Sequence, residues 1–283
     1  MSEQIGDAGE PGGAPLRPLG IGEVLDAAFG LYRRTATSLW RIVLIVIAPV
    51  AAVEQVAIAA SLPRGSFVRD GTLYTPTGTV GGLAVVVQLV LGLLSVLVLN
   101  GALAICLVDA YIGNPIDWRE SLRAAAERLG PLVWLALAYG IAVTVAFVLF
   151  VVPGVYLVVV WSVSIPALMF ERVGAVGALG RSLQLTRGRW WATFAVLLCA
   201  AALLGAALLA VGAILGAVQS ALAVSDTAAW AAIGALGTIV TDLIVYPFIA
   251  AVTAVLYIDL RVRREGLSLE RLAGELGRPG RWG

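Results

Sequence analysis

Two acidic residues inside long apolar stretches are the side chains best placed to do chemistry. Asp242 lies near the centre of one apolar run and Glu54 lies in another. A charged carboxylate at the bilayer centre costs about 2.5 to 3.5 kcal/mol on insertion scales, so it needs a partner or water. Thr238 and Tyr246 share a helical stripe with Asp242, and Asn100 lies in a further apolar run. These five residues form the candidate intramembrane polar site.

Two interpretations of this site remain open at the level of sequence. In the first, Glu54 and Asp242 titrate together in a cavity, as acidic relays do in transporters. In the second, both acids are neutral or hydrogen-bonded and join helices, or Glu54 lies near the outer interface. The interpretations differ in whether the two acids share a cavity.

The amino-acid composition excludes several kinds of catalytic site. The chain has no histidine, all 19 basic residues are arginine, and its two cysteines, Cys106 and Cys199, lie in apolar runs. A histidine-based triad, a zinc site of histidine and cysteine, a Schiff-base lysine and a Walker A lysine therefore have no residues to form them. We predict no enzymatic activity, no catalytic residue, no metal site and no cofactor. The net charge of +1 gives no reason to expect nucleic acid as a partner.

The length and spacing of the apolar runs indicate a membrane protein. Of 283 residues, 60% are hydrophobic and 13% are charged, whereas a soluble domain has about 45 to 50% and about 25%. A helix needs about 20 apolar residues to cross the hydrocarbon core. The runs that meet this requirement are 42–61, 80–108, 131–170, 190–225 and 228–258.

One of these runs is long enough to supply two spans. As a single helix, residues 131–170 would be about 60 Å long, roughly twice the thickness of the bilayer core. Pro153 and Gly154 lie near its middle and predict a hairpin turn there. The predicted fold is all-α and polytopic, with about six transmembrane helices and interspersed cytoplasmic amphipathic interfacial helices.

The distribution of arginine predicts the orientation in the membrane. An even number of spans places both termini on one side, and that side receives every arginine except Arg64 and Arg69. The positive-inside rule then places both termini in the cytoplasm. We expect a multi-pass protein of the cytoplasmic membrane, in a bacterial inner membrane.

Apolar stripes with helical spacing precede several spans. They lie near 21–34, 117–129 and, more weakly, 173–186, and a fourth stripe follows the last span within 267–283. Together with the apolar runs, the stripes predict three parts of the chain. These are a disordered tail at 1–16, a membrane domain with interfacial helices at 17–266, and a C-terminal cytoplasmic helix and tail at 267–283. Each stripe could dock a cytoplasmic protein partner or pack on the protein itself.

Four segments together resemble a known family. They are RPLGIGEVLDAAFGLYRR (17–34), VVPGVYLVVVWS (151–162), ALGRSLQLTRGRWW (178–191) and YIDLRVRREG (257–266). The pattern resembles bacterial integral membrane proteins identified as the membrane domain of glycerophosphoryl diester phosphodiesterase. In the enzyme of that name, the resemblance implies a separate TIM-barrel catalytic domain with histidines and metal-binding carboxylates. This chain has no histidine, so phosphodiesterase activity is not expected.

Two hypotheses about function follow. The first is a non-enzymatic scaffold or accessory subunit, with membrane lipids and a cytoplasmic protein as partners. The alternative is a transporter of a small molecule or lipid that uses the intramembrane acidic site. The sequence does not identify the ligand, the partner or the oligomeric state.

Overall fold

The fold is described by a computed structural model that covers residues 19–61, 67–69, 72–74, 82–171, 173–221 and 227–265. These residues form nine helices and one antiparallel hairpin of two short strands. The all-α fold class predicted from the sequence is confirmed. The helices are α1 (Ile21–Ser61), α2 (Gly82–Tyr111), α3 (Trp118–Glu127), α4 (Leu129–Leu149), α5 (Val151–Val160), α6 (Ser164–Glu171), α7 (Ala175–Thr186), α8 (Trp190–Ala221) and α9 (Thr227–Glu265), and the strands are β1 (Phe67–Arg69) and β2 (Thr72–Tyr74).

Six segments of the described chain are long and apolar enough to cross a membrane. The number agrees with the sequence prediction, and α5 and α6 together count as one of the six. The protein is therefore a polytopic helical membrane protein. The segments are Ile21–Val53, Leu89–Tyr111, Leu129–Leu149, Val151–Glu171, Trp190–Ala221 and Ala232–Glu265.

The first helix differs from the expectation. The surface helix near 21–34 and the first span form one continuous helix, α1, of 41 residues. Residues 35–41 contain neither glycine nor proline, so nothing in the chain interrupts the helix there. Thr35 donates a hydrogen bond from Oγ1 to the Leu31 carbonyl oxygen (2.7 Å), so its hydroxyl is satisfied within the helix.

The turn between α4 and α5 also differs from the expectation. The extended residue is Phe150 (φ −159°, ψ 147°), and Pro153 and Gly154 lie in the first turn of α5. Proline is suited to that turn, because the first amide groups of a helix have no partner within it. Gly154 is needed for packing, because a methyl group at this position would overlap the Phe147 ring.

The short helices α3 and α7 each bury one face within the protein. The carboxylate of Asp117 caps α3 by accepting a hydrogen bond from the Arg119 amide (2.8 Å). Ala125 on α3 packs against Gly101 of α2. Ser182 on α7 is buried and donates a hydrogen bond to the Val160 carbonyl oxygen of α5 (2.7 Å). On α7, however, Val176 and Leu183 of the predicted apolar stripe are exposed, so self-packing accounts for only part of that stripe.

The tightly packed core lies toward the C-terminal ends of α2 and α9. Leu103 and Leu107 on α2 and Tyr257 on α9 are fully buried, and Val24 and Ala28 on the facing part of α1 are buried with them. In contrast, α8 is mostly exposed. This core positions the polar contacts described next.

Candidate functional site

The two ends of the described chain are tied together by one ion pair. Near the end of α9, Asp259 accepts hydrogen bonds from the Leu19 amide (3.0 Å) and from Arg263 Nε (2.7 Å). Arg263 also donates to the Leu19 carbonyl oxygen (2.7 Å). The pair thus binds both backbone groups of Leu19 and fixes the start of α1 to the end of α9.

A second group of charges joins α6, α7 and α9. Arg181 contacts both Glu171 and Glu265, with Nε 2.5 Å from Glu171 Oε2. Arg261 Nη2 lies 3.0 Å from Glu265 Oε2. The Tyr257 hydroxyl donates to Glu171 Oε1 (3.0 Å). Two acids and two arginines balance in charge, and all four side chains are largely buried. We call this group, with Asp259 and Arg263, the ionic junction.

Backbone carbonyl groups extend the ionic junction to its neighbours. The Val160 carbonyl oxygen at the end of α5 accepts from Ser182 (2.7 Å) and Thr186 (3.3 Å) of α7. Arg264 donates to the Arg187 carbonyl oxygen (2.7 Å). Residues from four segments that are far apart in the sequence therefore meet in one place: 17–34, 151–162, 178–191 and 257–266.

The contacts of the ionic junction hold helices together and indicate a structural role. Each of its carboxylates accepts a hydrogen bond from an arginine. Such pairing matters because a buried charge without a partner would destabilise the folded protein. Within the described part of the chain, no group of three or more acidic or cysteine side chains is arranged to hold a metal ion.

Sequence reasoning missed the ionic junction, although part of its signal was present. Tyr257, Arg261 and Glu265 follow i, i+4 spacing on α9, as do Asp259 and Arg263, and such pairs meet on one helix face. The contributions of α6 and α7 come from distant parts of the chain. No local pattern in the sequence predicts them.

Three of the predicted site residues lie together on α9. Asp242 and Tyr246 are half-buried, and Thr238 is exposed. The Thr238 hydroxyl donates to the Gly234 carbonyl oxygen of its own helix (3.1 Å). The predicted stripe on α9 therefore exists, and the hydroxyl of Thr238 forms its hydrogen bond within the same helix.

The side chain of Glu54 lies outside the described residues, so only its backbone position on α1 can be compared with that of Asp242. The Tyr32 hydroxyl donates to the Leu243 carbonyl oxygen (3.5 Å), which aligns α1 antiparallel to α9 beside Asp242. Glu54 lies about 33 Å further along α1 at 1.5 Å per residue. The two acids therefore belong to different levels of the helix pair, because α1 extends far beyond the point where it meets Asp242.

Asn100 lies on a different helix, α2. Its side-chain amide donates to the Val96 carbonyl oxygen of its own helix (2.8 Å). The side chain of Asn100 is therefore satisfied within α2.

A groove between α1, α8 and α9 is a different candidate site. Its volume is about 340 Å³, within the range of pockets that bind small ligands. Its lining is apolar except for Asp26 and Tyr32. The apolar residues are Leu25 and Phe29 of α1, Leu203, Leu204 and Ala207 of α8, and Ile244 and Phe248 of α9.

Polar groups lie along one edge of this groove, on α1. Tyr32 accepts a hydrogen bond from Trp40 Nε1 (3.1 Å), and Asp26 is exposed. The Arg33 guanidinium lies 6.0 Å from the centre of the Phe29 ring, which lines the groove. The apolar stripe of α1 was visible in the sequence, but the helices that close the groove were not.

The charges on α1 run beside an apolar stretch of α9. The contacts of Leu19 with Asp259 and of Tyr32 with Leu243 place this part of α1 along residues 243–258 of α9, which carry no charge. Asp26 and Arg33 are exposed at this level. Charged side chains are costly in hydrocarbon, so water or lipid headgroups must reach this face of α1.

Comparison with known proteins adds no assignment. No known protein family matches the chain, and no curated protein or solved structure is found to be similar to it.

Proposed function

We propose that this protein is a non-enzymatic integral membrane protein that binds a phospholipid in the groove between α1, α8 and α9. The observation that supports this function best is the two-sided character of the groove. Apolar side chains line its interior, the charged residue Asp26 lies at its α1 edge, and Arg33 lies beside that edge, over the Phe29 ring. An amphiphile has the same division between an apolar chain and a charged head.

Each part of the proposed phospholipid contacts side chains of matching polarity or charge. An acyl chain packs against Leu203, Ala207 and Phe248. The phosphate binds the guanidinium of Arg33, because arginine forms strong charge-assisted hydrogen bonds with phosphate oxygens. Asp26, two turns earlier on the same face of α1, binds the ammonium of a zwitterionic headgroup.

A groove that holds a lipid beside a charged helix supports a carrier or transporter role. The exposed charges of α1 offer a polar path for a headgroup through an otherwise apolar region. The proposed site replaces the paired acids Glu54 and Asp242, whose backbone positions are far apart along α1 and α9. The scaffold hypothesis has less support at α3, where Ala124 and Ala125 are buried in internal packing, whereas Val176 and Leu183 of α7 remain exposed. The arginine distribution supports both termini in the cytoplasm.

The first experiment measures bound lipid in the purified protein. The protein is extracted from vesicles of phosphatidylethanolamine and phosphatidylglycerol, and retained lipid is identified by native mass spectrometry. Ala207→Phe fills the groove, so we expect loss of the retained lipid. Ala206→Phe is the matched control, because Ala206 is the exposed neighbour outside the groove lining. Equal retention by both variants would contradict the proposed site.

A second pair of variants tests the headgroup contact. Arg33→Gln should reduce the retained phospholipid, whereas Arg123→Gln on the exposed face of α3 should leave it unchanged. Transbilayer movement of a fluorescent phospholipid in reconstituted vesicles then tests the carrier role. Movement that is the same with and without the protein would rule out that role.

A further inference from the structure

We infer that the α4–α5 hairpin enters the bilayer from the side of the ionic junction and ends near its midplane instead of crossing it. Length and composition alone qualify both arms as spans. The contacts at the base of the hairpin limit how far it reaches. The tip of the hairpin therefore contacts the hydrocarbon of one leaflet only.

The tip of the hairpin is apolar and exposed. Val148, Phe150 and Val152 are 81%, 73% and 78% exposed, and residues 131–170 carry no charge. A tip that emerged on the far side would present these side chains to headgroups and water. A tip within hydrocarbon has no such cost.

The length of α5 sets the depth. α5 has 10 residues, which span about 15 Å. Its last carbonyl group, that of Val160, is bound by Ser182 of α7, and α7 also carries Arg181 of the ionic junction. This cluster of charges lies outside the hydrocarbon. The tip therefore reaches at most about half of a 30 Å core.

Aromatic contacts give the same depth independently. The Trp190 ring stacks on Tyr156 with centroids 6.0 Å apart, and Trp190 Nε1 donates to the Tyr156 carbonyl oxygen (3.5 Å). Trp190 follows Arg189 directly, a position typical of tryptophan at the membrane interface. Phe150 lies only about 9 Å from Tyr156 along α5.

Two backbone amides at the tip are paired within the hairpin. The Phe150 amide donates to the Ala146 carbonyl oxygen (2.9 Å), and the Gly154 amide donates to the Phe150 carbonyl oxygen (3.4 Å). Pro153 has no amide hydrogen to satisfy. The nitrogens of these three residues therefore need no partner from outside the hairpin.

Single-cysteine labelling tests the depth. The full chain carries Cys106→Ala and Cys199→Ala, and one cysteine is then introduced in place of Phe150, Ala221 or Arg189. In reconstituted vesicles of known orientation, a membrane-impermeant maleimide should label Arg189→Cys from the junction side. It should label Ala221→Cys, at the end of α8, from the opposite side. Phe150→Cys should react at least about tenfold more slowly from either side, because hydrocarbon excludes the reagent.

A spin label at the same cysteine provides the second measurement. At Phe150, collisions with oxygen should dominate and collisions with a water-soluble nickel chelate should be weak, and Val152→Cys should repeat this result. Labelling of Phe150→Cys from the opposite side as fast as Ala221→Cys, with strong nickel collisions, would overturn the inference and establish a complete crossing. Leu209→Cys on α8 is the control for insertion. If the spin-label spectra of Phe150→Cys and Val152→Cys match that of Leu209→Cys, the two hairpin variants are inserted in the membrane.

Discussion

The ionic junction and the lipid-facing helix α8 show opposite uses of side chains in one protein. At the junction, Tyr257 and Arg261 are 0% and 7% exposed, and charged groups make the contacts. Along α8, Leu203 and Leu209 are 57% and 77% exposed, and only 11% of its most apolar stretch is buried. The polar side chains are thus in the packed region, and the large apolar side chains face outward.

This contrast follows from the different surroundings of the two regions, packed protein at the junction and lipid along α8. In a bilayer, lipid is as apolar as leucine, so an exposed Leu209 loses little and gains little by packing. A charged group buried among packed helices gains much more from a partner, because burial leaves an unpaired charge without compensation. Close packing and polar contacts, rather than apolar burial alone, therefore select one arrangement of the helices.

The largest expected effect comes from breaking the ionic junction. Glu171→Ala leaves Arg181 and Arg261 without one of their carboxylates and removes the acceptor of the Tyr257 hydroxyl. We expect the free energy of unfolding to fall by about 3 kcal/mol, because a buried charge has lost a partner. Unfolding by sodium dodecyl sulfate in mixed micelles, followed by circular dichroism, measures the change.

An exposed ion pair provides the control for this variant. Glu127 on α3 pairs with Arg123, whose side chain is 82% exposed. Glu127→Ala should change the unfolding free energy by less than about 0.5 kcal/mol. If both glutamate variants behave alike, the junction does not stabilise the fold in the way described.

An intermediate effect should follow from filling a glycine contact. A methyl group at Gly101 on α2 would lie 3.1 Å from Leu132 and 3.2 Å from Ala125. Gly101→Leu should lower the unfolding free energy by about 2 kcal/mol, because three packed helices must separate. The same unfolding titration measures it.

Gly212 on α8 is the matched glycine of the lipid-facing region. A methyl group there meets nothing within 4 Å. Gly212→Leu should be neutral or stabilising by up to about 1 kcal/mol, because leucine favours a helix over glycine. Destabilisation at Gly212 equal to that at Gly101 would show that α8 is covered in the membrane, for example by a second copy.

The smallest effect is expected at the cap of α3. Asp117→Ala removes the acceptor for the Arg119 amide and should cost about 1 kcal/mol. Asp117→Asn keeps a capping oxygen and should restore most of the loss. Hydrogen exchange at the first amides of α3 reports the change, and unchanged exchange in Asp117→Ala would show that the cap is unimportant.

Local patterns explain which elements could be predicted from sequence. The apolar runs led to six long helices, and Asp117 marked the start of α3. The turn at Phe150 was missed, because proline and glycine usually mark a turn and here lie just inside the next helix. The continuity of α1 was also missed, because a change from an amphipathic to an apolar pattern does not by itself end a helix.

The sequence by itself determined the membrane class and the number of long apolar helices, because hydrocarbon requires about 20 apolar residues for each crossing whatever the neighbours are. The tertiary structure decided which polar residues meet. Leu19 and Asp259 are joined, whereas Glu54 and Asp242 lie far apart along α1 and α9. The physical reason is that helical spacing relates residues only within one helix. Contacts between helices depend on how far each one slides past its neighbour, and small residues such as Gly101 and buried ion pairs such as Asp259 and Arg263 set that alignment.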